Sequence, residues 1–142
     1  MAAFFDHWSE VPANDWRWPH FTPREMACRR SGKLLLTPEF LDALEALRAT
    51  VNRPLPVTAG YRDPEHNALV SSTGKTGPHT TGRAADIAIS GEDAYALLGA
   101  AIRAGSFTGI GLNQRGPHAG RFIHLDTLSP TAAPRPRVWT YG

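Results

Sequence analysis

Prolines and glycines divide this 142-residue chain into short segments, and they constrain its fold more than any other feature. The chain has 12 prolines and 13 glycines, and a residue that caps helices well directly precedes a proline at Thr22-Pro23, Thr37-Pro38 and Asp63-Pro64. A capping residue followed by proline is typical of the first turn of a helix. We therefore expect several short elements joined by ordered loops rather than a helical bundle.

The segments between these signals alternate in character, which predicts both helices and strands. Helices are expected over 21–28, 36–50, 62–70 and 90–105, and strands over 54–62, 83–89, 107–113 and 121–128. This pattern indicates an α+β domain, in which a small, mostly antiparallel sheet packs against helices. The chain is long enough for one such domain with one core. We expect that single domain over 20–142, with an N-terminal arm over 1–19 whose tryptophans dock onto the core.

Charge and cysteine content exclude several classes of protein. The formal net charge is +2 and the isoelectric point is near 9.0. This suits loose attraction to an anionic polymer such as a bacterial wall, but it is too weak to indicate nucleic acid. Cys28 is the only cysteine, which excludes an intrachain disulfide and cysteine-based zinc fingers. A basic start followed by a long apolar run is missing, so we expect neither a secretory signal nor a membrane span.

The stretch GPHTTGRAADIAI, residues 77–89, holds a histidine and an aspartate among small residues. In its strand, alternation places Asp86 on the face opposite the two isoleucines, whose side chains are expected in the core. In the later strand RFIHLDTL the same alternation places His124 and Asp126 on the non-core face. If the two strands pair in one sheet, His124 comes beside Asp86, and His79 folds over from the preceding loop.

Two imidazoles and one carboxylate with an open fourth position are what a hydrolytic zinc site requires. The glycines and threonines around His79 suit a loop that closes over a metal. A plainer interpretation stays open at this point. In it His79 is an ordinary loop histidine and Asp86 is a surface carboxylate.

Several blocks of sequence, taken together, favour the metal site. The blocks PHTTGRAADIAI and FIHLD follow VTAGYR and, nearer the start, HFTPREMACRRSGKLLL. In this order, over roughly residues 20–140, they resemble the zinc D-Ala-D-Ala carboxypeptidase and endolysin-type L,D-peptidase family. The resemblance implies a hedgehog-like zinc fold that hydrolyses peptidoglycan stem peptides, as a D-Ala-D-Ala carboxypeptidase or an L-alanyl endopeptidase. It also implies one zinc ion per chain held by His79, Asp86 and His124, with Arg62 facing the substrate.

The general base is the point at which this chain departs from the family it resembles. Many members carry Glu, Asp or His three residues before the last metal ligand, where this chain has Arg121, which cannot accept a proton. Asp126 is the nearest carboxylate, and His118 in the hairpin QRGPHAG is the alternative. Rigid placement on a strand favours Asp126 as the base. Asp126 is equally suited to orient His124 or to pair with a cation.

Three functions fit the sequence. The first is a zinc peptidase in which Arg62 orients the substrate or stabilises the oxyanion, and Asp126 or His118 takes the proton. The second is a non-catalytic wall-binding or structural module of the same fold, supported by the missing carboxylate at position 121. The third, a small basic nucleic-acid binder, rests only on the isoelectric point and the Arg135-Pro136-Arg137 tail, and ranks far below.

The expected partner is the peptidoglycan stem peptide, with no nucleic acid and no membrane. Small size, without a signal peptide or a separate wall-binding domain, favours a component of a phage, prophage or phage-like particle. We expect such a protein to be made in the cytoplasm and to act on the cell wall after lysis, after export or as part of the particle.

Overall fold

Four helices and seven strands make up the computed structural model, which describes residues 1–142. The helices are α1 (Pro23–Met26), α2 (Pro38–Val51), α3 (Pro64–Val70) and α4 (Gly91–Ala104). The strands are β1 (Ala3–Phe5), β2 (Leu34–Leu36), β3 (Val57–Ala59), β4 (Ala84–Ala88), β5 (Gly109–Asn113), β6 (Phe122–Asp126) and β7 (Arg137–Thr140). The predicted α+β class is confirmed. None of the helices has the length and apolar character that crossing a membrane requires.

The predicted helix starts are correct in position, and two of the three use a side-chain cap. Thr22 accepts a hydrogen bond from the Glu25 backbone while the Glu25 carboxylate accepts one from the Thr22 backbone, which forms a capping box on α1. Asp63 caps α3 by accepting from the His66 backbone at 2.8 Å. Thr37 occupies the cap position of α2, but its hydroxyl is buried and has no hydrogen-bond partner.

Five strands form the main sheet, in the order β3-β4-β6-β5-β7. Every neighbouring pair is antiparallel except β5 and β7, which run parallel. The expectation of a mostly antiparallel sheet is therefore confirmed. Sequence analysis did not predict β7, nor the separate antiparallel pair of β1 and β2.

The core lies on the side of the sheet that faces helices α2 and α4. Ile87 of β4 and Ile123 of β6 are paired in register and are almost fully buried there. They belong to one continuous cluster with Phe40 and Leu44 of α2 and Leu97 of α4. Because side chains alternate along a strand, Asp86 and His124 point to the opposite face of the sheet.

The first nineteen residues pack against this core. Trp18 is buried, and its indole nitrogen donates to Oδ1 of Asp42 in α2 at 2.8 Å. The indole nitrogen of Trp16 donates to the Phe21 carbonyl at 2.8 Å. The predicted boundary between an arm and a domain at residue 19 stays a prediction.

Candidate metal centre

Strand register brings two of the three predicted metal ligands together. Asp86 of β4 lies directly opposite His124 of β6 in the antiparallel pairing. His79 reaches the same place from a 3-10 turn, Pro78–Thr81, just before β4. All three side chains are buried, and their candidate ligand atoms lie within 4.8 Å of one another. The three residues form what we call the metal cluster.

The orientation of His79 is fixed by a backbone carbonyl. Its Nδ1 lies 2.8 Å from the Gly60 oxygen, and because a carbonyl only accepts hydrogen bonds, Nδ1 carries the proton and donates. With its proton on Nδ1, His79 has Nε2 as the nitrogen that can bind a metal ion, and this atom lies 3.2 Å from Oδ1 of Asp86. A Cβ at position 60 would lie 2.6 Å from the Met26 carbonyl oxygen, so only glycine lets this backbone pass so close to α1.

The orientation of His124 is fixed by a buried ion pair. Its Nε2 lies 2.8 Å from Oδ2 of Asp126, and its Nδ1 lies 3.0 Å from Oδ1 of Asp86. Arg135 donates to both carboxylate oxygens of Asp126, at 2.9 and 2.7 Å. Burial raises the pKa of Asp126, but hydrogen bonds from His124 and Arg135 outweigh it and bring the pKa to about 2. Asp126 is therefore ionised and holds the proton of His124 on Nε2.

These donors fit a zinc ion. Each imidazole has an acceptor at its far nitrogen, which leaves the near nitrogen, beside Asp86, as the atom that would bind the ion, as in well-ordered zinc sites. Burial raises the pKa of Asp86, but its contacts with His124 and His79 outweigh burial and lower the pKa below its usual range. Two imidazoles and one carboxylate are protein ligands typical of hydrolytic zinc sites.

Arg62 lies on the wall of a cavity of about 610 Å³ that opens over the metal cluster. One guanidinium nitrogen donates to the Asn67 side-chain oxygen at 3.1 Å, and another lies 3.5 Å from Oδ2 of Asp86. Asn67 is buried, and its amide nitrogen donates to Thr73 and Gly74 of the following loop. Asn67 thus holds both the arginine and the cavity rim in place.

Neither predicted general base lines this cavity. Asp126 lies behind His124 with no exposed surface, and its ion pair keeps its pKa far below neutral. His118 is exposed in the β5–β6 connection, with Nδ1 3.4 Å from the Ser90 hydroxyl. A carboxylate with so low a pKa is a weak proton acceptor at neutral pH. The geometry shows Asp126 in contact with His124 and Arg135, which suits it to orient His124, and the base role of Asp126 or His118 stays a prediction.

The last strand supplies cavity residues that sequence analysis missed. Arg137, Trp139 and Tyr141 line the cavity from β7 and the residue after it, together with Arg135. From the sequence, Arg135 and Arg137 were assigned only to a basic tail, and no strand was predicted there. Spacing is the signal that would have found them, since positions 137, 139 and 141 share one face of an extended chain. Burial raises the pKa of Tyr141, so its hydroxyl keeps its proton at neutral pH.

Comparison with known families places this geometry in context. A sequence model of the family described as Peptidase M15 matches residues 19–126, about three quarters of the chain. The matched range contains the metal cluster and Arg62, and it ends at Asp126. No curated protein and no solved structure matches the chain.

We expect one tightly bound zinc ion per chain, because the metal cluster supplies three suitable ligands. Elemental analysis of protein purified without added metal measures this. His79→Ala and Asp86→Ala should remove the zinc and lower the melting temperature, since a metal that binds only the folded state stabilises it. Zinc content that is unchanged in both variants would contradict the site.

Asp126→Asn should weaken zinc binding about 10–100-fold, the usual effect of changing a group that orients a metal ligand. The asparagine keeps the shape of the side chain but loses the charge that pairs with Arg135 and holds the His124 proton. Competition with a chelator of known affinity measures the change. Asp93→Asn, at an exposed carboxylate paired with Arg53, is the matched control and should bind zinc normally. Equal affinity in the two variants would show that Asp126 does not orient the ligand.

Proposed function

The chain belongs to the peptidase M15 family of zinc peptidases, and we propose that it hydrolyses peptide bonds in the stem peptides of bacterial peptidoglycan. The observation that carries the proposal is the convergence of His79, Asp86 and His124 at the floor of an open cavity. Each imidazole there has its proton fixed on the nitrogen that faces away from Asp86. Packing alone does not require both histidines to hold their protons on the side away from Asp86, whereas metal binding does.

A bound zinc ion supplies Lewis acidity, which polarises a carbonyl group and makes water a nucleophile at neutral pH. The protein's contribution begins with His79 and His124, whose lone pairs are aimed by the Gly60 carbonyl and by Asp126. Arg135 keeps Asp126 ionised and in place. These contacts hold the ligand atoms before any substrate arrives, which is the preorganisation that a hydrolytic site requires.

Arg62 is the residue best placed to act on the substrate. Its side chain is largely buried on the cavity wall, and Asn67 holds one of its nitrogens. A guanidinium fixed in this way offers planar donors to a peptide carboxylate, or to the carbonyl oxygen as negative charge develops on it. We propose that Arg62 orients the substrate, stabilises this oxygen, or does both.

Charge supports an anionic peptide as the substrate. Arg62, Arg135 and Arg137 all line the cavity, and Asp86 is the only carboxylate among the lining residues. A cleft lined by one sign of charge attracts ligands of the opposite sign. Stem peptides carry free carboxylates, so their ends suit this cavity. The D-Ala-D-Ala bond at the end of the stem and an L-alanyl bond within it are the two candidate cleavage sites.

One observation favours a second function, a non-catalytic wall-binding or structural module with the same fold. Arg121 occupies the position at which a carboxylate or histidine was expected, and its Nε donates to the Gly116 carbonyl at 3.0 Å. Neither Asp126 nor His118 supplies a replacement proton acceptor on the cavity wall. Turnover of a wall substrate separates the two functions.

We propose further that the protein acts on the cell wall after lysis, after export or as part of a phage-like particle. This proposal rests on the proposed substrate, which lies outside the cytoplasm.

Incubation with purified sacculi tests the main proposal. We expect new peptide termini, identified by mass spectrometry, that disappear when a chelator is present and return when zinc is restored. The termini also identify the bond, since a carboxypeptidase releases D-alanine and an L-alanyl endopeptidase releases the rest of the stem and leaves its L-alanine on the glycan. Intact sacculi after incubation with zinc-loaded protein would favour the non-catalytic module.

Arg62→Lys should keep zinc and the fold but lower kcat by about 10²-fold or more, because lysine keeps the charge and loses the planar pair of donors. Steady-state kinetics with a soluble muropeptide as the substrate measures the change in kcat, and zinc content shows whether the metal cluster is intact. Arg103→Lys, on the exposed face of α4, is the matched control and should be neutral. If Arg62→Lys and the control turn over substrate at the same rate, Arg62 has only a structural role.

A further inference from the structure

Gly111 stands at an unusually crowded point beside the metal cluster. It lies in β5 directly opposite His124 of β6. A Cβ at this position would lie 2.6 Å from the indole nitrogen of Trp139 and 2.9 Å from the hydroxyl oxygen of Tyr141. Two polar atoms from the end of the chain therefore converge over one glycine, in space that any other residue would fill.

The parallel pairing of β7 with β5 brings these two side chains to the cavity. Trp139 is the register partner of Gly111. The centre of its ring system lies 5.1 Å from the centre of the His124 imidazole, and Tyr141 lies equally close to Phe122. Both Trp139 and Tyr141 line the cavity. The two groups therefore lie on the wall next to the proposed reaction centre.

Both groups are hydrogen-bond donors, and they contact each other: a hydrogen bond from the Trp139 indole partly offsets the rise that burial causes in the Tyr141 pKa. An indole N–H only donates, and a protonated phenol donates as well. The indoles of Trp16 and Trp18 donate to the Phe21 carbonyl and to Asp42. By contrast, the Trp139 nitrogen donates to the Tyr141 hydroxyl oxygen, and no hydrogen bond of the structure joins either group to a third residue, so the Tyr141 O–H is left to donate.

Two arginines hold the indole in place. The guanidinium carbons of Arg135 and Arg137 lie 5.1 and 5.6 Å from the centre of the Trp139 ring, within the range of cation–π contacts. Arg135 is itself fixed by its two hydrogen bonds to Asp126. The indole is thus tied to the same ion pair that orients the metal ligand His124.

We propose that Trp139 Nε1 and Tyr141 Oη act together as a donor pair, in which the indole N–H holds the phenol and the phenolic O–H binds a carbonyl oxygen of the peptide substrate adjacent to the scissile bond. The proposal rests on the peptidase function proposed above. Uncharged donors match an uncharged amide oxygen, whereas Arg62 and Arg137 on the same cavity wall match carboxylates. A substrate held at this additional point is aligned over the metal cluster and cannot rotate about its contact with an arginine.

Two variants remove the pair in different ways. Tyr141→Phe deletes one donor and keeps the ring that packs on Phe122, and Gly111→Ala displaces both donors without changing their chemistry. The controls are Tyr95→Phe, at a tyrosine that is 84% exposed on α4, and Gly120→Ala, where an added Cβ meets no atom within 4 Å. Zinc content should be unchanged in all four variants.

The assay uses zinc-loaded protein and a synthetic stem peptide that begins with L-alanine and ends in D-Ala-D-Ala, so that both candidate bonds are present. Tyr141→Phe should raise KM about fivefold, the change expected for losing one neutral hydrogen bond, with kcat little altered. Gly111→Ala should raise KM by more. Unchanged KM in both variants, with normal turnover by the wild type, would overturn the donor pair and leave the peptidase function standing.

A direct readout comes from the indole N–H signals in nitrogen-15 NMR spectra, with the signal of Trp139 identified by its loss in Trp139→Phe. Adding excess peptide to the wild type should shift the Trp139 signal and leave those of Trp16 and Trp18 in place. The shift should be lost in Gly111→Ala and kept in Gly120→Ala. A shift without hydrolysis would support the pair and contradict the peptidase. A peptide that is neither bound nor cleaved would contradict both.

Discussion

The antiparallel register between β4 and β6 is the constraint on which the rest of the site depends. It pairs Ile87 with Ile123 on the core side and places Asp86 opposite His124 on the other side. Because side chains alternate, a slip of one residue would bury a carboxylate among the isoleucines and carry the ligands to the wrong face. The apolar pairs that hold the domain together therefore also fix the separation of the metal ligands. Stability and the metal site share one structural cause.

The contacts behind the two histidines serve orientation rather than stability. Asp126 and Arg135 are both withdrawn from water, and a buried ion pair of this kind recovers little more than the cost of desolvating its members. Its effect here is local: it determines which nitrogen of His124 carries the proton. Gly60 does the same for His79 with a backbone oxygen. The two imidazoles receive their orientation by unrelated means, one from the close approach of β3 to α1 and one from an ion pair.

Some parts of this structure could be predicted from sequence, and the reasons differ from residue to residue. Alternation along β4 and β6 was sufficient to place Asp86 and His124 on one face, since period-two patterning is a local property. The role of Asp126 depends on Arg135, which lies nine residues later beyond a loop, and no local pattern announces such a contact. Strand β7 escaped prediction because it is short and largely exposed, and because its parallel pairing with β5 is a long-range contact. Thr37 shows the reverse case, since a correct cap position did not guarantee the hydrogen bond.

Strand β7 lies at the edge of the sheet, so one wall of the cavity is built separately from the central strands that carry two of the metal ligands. The central strands β4 and β6 carry Asp86 and His124, while the edge strand carries Trp139 and part of the cavity wall. The family match ends at Asp126, so the shared ancestry that is detectable in this chain covers the metal cluster and stops before β7. Substitutions along an edge strand disturb few neighbours, so this wall of the cavity can change in shape and charge with little effect on the metal cluster. Arg135 is the exception, because it lines the cavity and also holds Asp126, so a substitution there reaches the metal ligand His124.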